Sequence, residues 1–332
     1  MSADPTFLFD RNAPPPLTVS TALPAVPALF ADAGDQAGWR YIEFLTAEIR
    51  NPNTRDAYTR ALHRFSAWCG DPSRRWRLEE LTPVHVAAYV EALGRALAKP
   101  SVKLHLSALR MLGDYLVLGH VLRANPAAAV RGPKYVVKTG KTPVLSRAEA
   151  KTLLSSIPTD TLAGLRDRAF IALMVFTFAR VSAAVALNVA DYRAQGKHWR
   201  IELHEKGGRD HTVPAHHALN EYLDAYLKAA GIEGYGSSPL FPRLDRWGRL
   251  TATRLSRREA LALVKRRCRT AGLGDRICNH SFRATGITNF LENGGTIERA
   301  QALAAHESPR TTKLYDRRND LLSLDDIERI QF

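Results

Sequence analysis

Four runs of apolar residues, each spaced three or four apart, constrain this chain more than any other feature of its sequence. Ile42, Leu45 and Ile49 form the first; Tyr58, Leu62, Phe65 and Cys69 the second; Val86, Val90, Leu93 and Leu97 the third; Val102, Leu106, Leu109, Leu112 and Leu116 the fourth. This spacing lays an apolar stripe along a helix and does not suit a strand, whose side chains alternate between two faces. Four amphipathic helices are therefore predicted over residues 36–128, enough to enclose one small core. Thr82 before Pro83 marks one helix start, because the hydroxyl can cap and the proline ring sits where its missing N–H costs nothing. Residues 1–34 are rich in Pro and Ala and have no period, so they are expected to form a flexible arm, with FLF at 7–9 as a short docking segment.

A chain of 332 residues exceeds one ordinary core and predicts about two domains. The sequence RGPKYVVKTGKTPVLS breaks every periodicity, which makes residues 129–145 a basic linker. Ser146 followed by Glu149 forms a capping box, so a helix and the second domain, 146–332, begin there. Within it HWRIELH at 198–204 and HTVPAH at 211–216 read as strands, and EKGGRD between them as a tight turn with Lys206 at its tip. The fold class is thus mainly α, a four-helix unit followed by a mostly helical domain with a small antiparallel sheet.

The formal charge is +14, which concentrates polyanions around the chain and makes nucleic acid the leading partner, with anionic membrane a weaker second. Lys99, Lys103 and Arg110, with Ser107, share the face of the fourth helix opposite its leucines, and Arg60 and Arg64 pair similarly on the second. With Arg131, Lys134, Lys138 and Lys141 of the linker they are candidate phosphate contacts, on lobes that could close around a duplex. Cys69, Cys268 and Cys278 have no paired spacing, no stretch reads as a secretory signal or a membrane span, and a cytoplasmic location is expected. The sequence has no glycine-rich phosphate loop and no metal-binding motif, so no cofactor and no metal are expected.

The remaining distinctive stretches carry reactive residues. Arg180 directly follows the apolar run FIALMVFTFA, an awkward place for a guanidinium unless it meets an anion. His280 and Arg283 stand three apart in HSFRATG, on one face if HSFRATGITNFL is a helix. LAAH ends at His306, and HESPRTTKLYDRR, residues 306–318, surrounds Tyr315 with charges that predict a phenol at or near a surface. Taken singly, each has an ordinary reading as a helix-end charge, a solvated lysine or a packed ring. Taken together, the residue types fit one task, breaking a phosphodiester without metal. Two guanidiniums can hold the non-bridging oxygens and stay charged at any working pH. An ammonium can protonate the leaving oxygen, and a phenol with an ordinary pKa of about 10 needs a neighbouring base to become a nucleophile.

In this order and spacing the residues resemble the tyrosine recombinases of the phage integrase family, the Xer-type members among them. Arg180 in ARVS matches the family's first arginine, Lys206 its hairpin lysine, His280 and Arg283 its H-x-x-R, His306 the histidine of its L-G-H element, and Tyr315 its tyrosine, with Thr311 and Thr312 as its threonine pair. The resemblance implies a core-binding domain at 36–128 and a catalytic domain at 146–332. It also implies attack by Tyr315 to give a 3′-phosphotyrosine link, protonation of the 5′-oxygen by Lys206, steadying of the phosphorane by Arg180 and Arg283, acid and base work by His280, and a phosphate hydrogen bond from His306. Four protomers on two duplexes are implied too, with LLSLDDIERIQF docking on a neighbour and accessory DNA-bending factors as further partners. Integration, excision and resolution all fit this chemistry. Two departures stand out: Ala183 replaces the acidic residue of the family's R-x-S-E, for which Asp191 is a candidate substitute, and L-G-H is here Ala304, Ala305, His306. A type IB topoisomerase and a non-catalytic DNA-binding protein of the same fold are the competing expectations.

Overall fold

The computed structural model describes residues 24–137, 140–205 and 209–317. Contacts divide the chain into two compact units that meet between Val136 and Val137. Among the described residues the first holds five α-helices: α1 (Ala28–Ala31), α2 (Asp35–Glu43), α3 (Pro52–Cys69), α4 (Pro83–Ala96) and α5 (Lys99–Leu118). Helix α2 continues through a wider π turn, Phe44–Glu48, which keeps Phe44 and Leu45 in the core. Caps match the local chemistry. Asn51 accepts from the backbone of Asn53 and Thr54 ahead of Pro52, and the Thr82 N–H donates to the His85 ring before Pro83.

Two boundaries differ from expectation. The segment before residue 34 is not all arm, since α1 buries Leu29 and Phe30, and Phe30 stacks on Tyr41 at 5.1 Å. A proline-rich composition hid two large side chains with a core to enter. The linker also starts later than 129, because Val130 lies in the core of the helical unit and Leu145 in that of the other. The FLF segment, Lys138 and the C-terminal LLSLDDIERIQF lie outside the described residues.

The second unit is built around α7 (Leu162–Phe176), in which every residue from Ala169 to Met174 is buried. A helix stretch apolar on all sides belongs at the centre of a domain. Among the described residues the other α-helices are α6 (Arg147–Ser156), α8 (Val181–Ala186), α9 (His217–Ala230), α10 (Arg257–Thr270), α11 (Asn279–Glu292), α12 (Ile297–Leu303) and α13 (Pro309–Lys313). Of these, α6, α8, α9 and α11 pack on α7. The Ser146–Glu149 capping box forms as predicted at α6. The hairpin forms too, as β2 (His198–Glu205) and β3 (Arg209–Pro214), with a third antiparallel strand, β1 (Tyr192–Gln195), that the sequence did not announce. A second hairpin joins β4 (Pro242–Leu244) to β5 (Leu250–Arg254). Among the described residues no helix is long and apolar enough to cross a membrane.

Helices α7 and α11 approach closely at Gly286, where a Cβ would stand 2.1 Å from the Val175 carbonyl oxygen and 2.7 Å from the Phe178 ring. Glycine is therefore what lets the α11 backbone lie against the end of α7. That contact fixes the spacing between Arg180, just beyond α7, and Arg283 on α11.

Candidate active site

The site is assembled from four chain segments of the second unit. Arg180 is the N-cap residue of α8, reached after Phe178, whose φ of 54° turns the chain sharply out of α7. His280 and Arg283 sit one turn apart at the start of α11, a helix opened by the Cys278 N–H donating to Ser281 Oγ at 3.1 Å. His306 follows α12 through Ala305, another left-handed residue with φ of 46°. Tyr315 comes directly after α13, and its backbone is tied down by Tyr315 N–H to Thr312 O at 2.9 Å and by Thr288 Oγ1–H to Tyr315 O at 3.0 Å.

Tyr315, His280, His306, Arg283 and Arg180 are brought together. The Tyr315 hydroxyl lies 2.8 Å from His280 Nε2, and the His306 ring lies parallel to the phenol with centroids 5.8 Å apart. His306 Nδ1 is 2.9 Å from the hydroxyl of the buried Thr312, which holds its ring in that plane. Arg283 is 1 % exposed, and its two terminal nitrogens donate to the Phe178 and Ala304 carbonyls, the oxygens beside the two left-handed turns. Arg180 stays open to solvent on one side and pairs with Glu205, the last residue of β2. Lys206 lies outside the described residues, between β2 and β3.

Three expectations need correction. Tyr315 is 8 % exposed, deeper than a phenol at or near a surface, because Arg317 turns outward while the ring lies in one buried cluster with Phe178, Ile287 and Ala304. Asp191 does not substitute for the missing acid at 183; it caps the Asn188 N–H at 2.7 Å and faces His204, whereas Arg180 takes Glu205. Arg110 is no free cation on a helix face. Its guanidinium donates to the Ala127 and Val130 carbonyls and closes the chain after α5 against that helix. By contrast Arg60, Arg64, Lys99, Lys103, Arg131, Lys134 and Lys141 are exposed, with no ion pair among the described residues.

The environment sets the protonation states. Burial pushes the Tyr315 phenol above its ordinary pKa, against the opposite pull of Arg283 and Arg180. Burial of the ring, then the two arginines, lowers His280, and the same causes with His280 added take His306 down to about 3. Burial and the nearby Arg180 bring Arg283 down to about 10, with Glu205 and Tyr315 opposing. At neutral pH the site therefore holds a protonated phenol, two neutral imidazoles and two guanidinium cations. A neutral His280 with its proton on Nδ1 accepts the phenol proton at Nε2.

Sequence reasoning overlooked Glu205 although a signal was present. Along β2 the buried positions Ile201 and Leu203 alternate with less buried ones, and the next inward position is 205. A carboxylate on the inner face needs a cation, and the unexplained Arg180 supplies one.

Residues 143–321 match the model described as the phage integrase family, and residues 39–119 match its N-terminal SAM-like domain. The chain belongs to the phage integrase family. This integrase-family chain is 31 % identical over 276 residues to the tyrosine recombinase XerD of Corynebacterium glutamicum, covering 79 % of the chain and 86 % of that protein. It is 28 % identical over 235 residues to the tyrosine recombinase XerC of Chlamydia pneumoniae, covering 70 % and 73 %. Its fold is that of the XerH site-specific recombinase bound to a palindromic difH substrate in a post-cleavage complex, with a TM-score of 0.68 at 17 % identity over 90 % of this chain and 84 % of that one. A lambda integrase dimer bound to a COC′ core site gives a TM-score of 0.64 at 21 % identity over 86 % and 77 %. As a family member of the Xer type the chain is an enzyme that cleaves and rejoins DNA.

Proposed function

We propose that Tyr315 is the nucleophile of this site-specific recombinase, with His280 as its base, Arg180 and Arg283 as the phosphate grip, Lys206 as the acid and His306 as a hydrogen-bond donor to the phosphate. The observation that carries this reading is the 2.8 Å contact between the Tyr315 hydroxyl and His280 Nε2, beside two guanidiniums. The phenol oxygen forms a bond to phosphorus while its proton passes to His280. The bond from phosphorus to the 5′-oxygen breaks, and the Lys206 ammonium protonates that oxygen. A 3′-phosphotyrosine remains, at nearly the energy of the diester it replaced, so a 5′-hydroxyl from a partner strand reverses the steps without ATP. Negative charge gathers on the non-bridging oxygens in between, and losing one positioned donor there commonly costs about 3 kcal/mol.

The helical match at 39–119 beside the catalytic match favours recombination over simple relaxation. Arg60, Arg64, Lys99, Lys103, Arg131, Lys134 and Lys141 supply the unpaired charge for the DNA backbone. Four protomers on two duplexes, tail exchange through LLSLDDIERIQF, and accessory DNA-bending factors complete the proposal. Its test is a nicked duplex carrying the cognate site. The unaltered chain traps a covalent adduct on it and Tyr315→Phe does not; an adduct formed equally by both removes Tyr315 from its role.

A further inference from the structure

The recombinase reading leaves one group of the site without a task. Glu205 is a buried carboxylate, its side chain 4 % exposed, in a centre otherwise made of cations, imidazoles and a phenol. A carboxylate beside the seat of a phosphate repels the substrate, so its presence needs a compensating reason. Its partner Arg180 supplies one. Arg283 is immobilised by two carbonyls, whereas among the described residues Arg180 has Glu205 as its one charged partner. A long side chain, about one-third exposed, on the N-cap of a six-residue helix would otherwise sample many rotamers.

The residue that family members place three positions after the first arginine is here Ala183, 2 % exposed and packed in the core. No acid can act on Arg180 from that turn of α8. We infer that Glu205 is the positioning residue for Arg180, having taken over from β2 a task that Ala183 cannot perform. One carboxylate on one terminal nitrogen sets the plane of the guanidinium and leaves its remaining N–H groups for the non-bridging oxygens. In sequence Glu205 directly precedes Lys206, the proposed acid, so a change at 205 is read against a chain whose Lys206 is kept.

This inference rests on the recombinase reading, and a single-turnover experiment on the nicked cognate duplex separates the two. Adduct formation by the full chain is timed for the unaltered protein, Glu205→Gln and Glu205→Asp, alongside non-covalent DNA affinity in a Tyr315→Phe background and the melting midpoint. Glu205→Gln is expected to slow adduct formation by about tenfold to a hundredfold, with affinity changed less than about threefold. The melting midpoint is expected to stay within about 2 °C. Glu205→Asp, which keeps the charge, recovers part of the rate. On a substrate with an uncharged methyl group in place of one non-bridging oxygen, the ratio of unaltered to Glu205→Gln rates is expected to shrink towards one, because the oriented cation then has less charge to meet. An unchanged rate in Glu205→Gln overturns the inference, and so does a loss that tracks a lowered melting midpoint or persists at full size on the methyl substrate. Absence of any adduct with the unaltered chain instead sinks the recombinase reading beneath it.

Discussion

Arg283 and Arg180 carry the same functional group into the same site, yet their surroundings differ in kind. Arg283 belongs to the floor: it is fully buried, bonded to the Phe178 and Ala304 carbonyls, and lodged where α11 meets the end of α7. Arg180 belongs to the rim, about one-third exposed, with one carboxylate to steady it. The difference separates two ways of preparing a cation for an anion that is not yet there. The floor is fixed by the fold, so disturbing it should cost stability as well as rate. The rim is fixed by a side chain, so disturbing it should cost rate alone.

The strongest way to break this comparison is to remove each guanidinium in turn. Arg283→Ala should cut adduct formation by about a thousandfold and destabilise the catalytic unit by about 3 kcal/mol, since two buried carbonyls lose their donors. Arg180→Lys, which removes the planar fork but keeps a cation for the buried Glu205, should also slow adduct formation strongly with a nearly unchanged melt, and equal melting losses in the two variants would erase the distinction. Next in size is Gly286→Ala. Its new methyl would meet the Val175 carbonyl oxygen at 2.1 Å, and backbone cannot step aside as a side chain can. A loss of about 3 kcal/mol by denaturant unfolding is expected, with adduct formation slowed by more than the loss of folded fraction, because the two arginines are moved apart.

Acid should act on the floor through His306. Its pKa lies near 3 in the folded chain against an ordinary 6.5, so below pH 6.5 the unfolded chain binds the extra proton and the folded one does not. Stability is therefore whole above that value and declines as pH falls, by on the order of 3 kcal/mol at pH 4. His306→Asn should flatten that part of the profile, and an unchanged slope would show that other groups cause it. Adduct formation should fall in the same direction once His280 becomes protonated, because its lowered pKa keeps it a base only in the neutral state. The smallest effect is expected from Ala305→Gly. Ala305 sits at φ of 46°, where a Cβ is strained, and glycine should raise stability by about 1 kcal/mol without slowing cleavage.

The rim and floor also differ in how far the sequence revealed them. Arg283 could be placed beside His280 because a helical repeat is local, and α11 runs as HSFRATGITNFL predicted. The strands around Lys206 were likewise legible from alternation and a glycine turn. What escaped were relations across space. The burial of Tyr315 depends on Phe178 and on Ala284, Ile287 and Leu291 of α11 gathering in one cluster with its ring, which no charge pattern near residue 315 announces. Phe178 and Ala305 adopt left-handed turns without glycine, so the usual mark of such a turn is missing at both. Asp191 was nearer in sequence to Arg180 than Glu205, and sequence distance misled. Strand periodicity pointed to Glu205, but needed a reason to ask why an acid should face inward.

The buried phenol has a consequence for an enzyme that meets long stretches of duplex before its target. Every phosphodiester it passes is chemically equivalent to the one it should cut. A nucleophile that stood ionised in the free protein could nick any of them on contact. In the proposed mechanism the nucleophile Tyr315 instead keeps its proton while idle, its oxygen shielded and hydrogen-bonded to an imidazole. Restraint towards irrelevant DNA is thus built into the resting chemistry of one side chain.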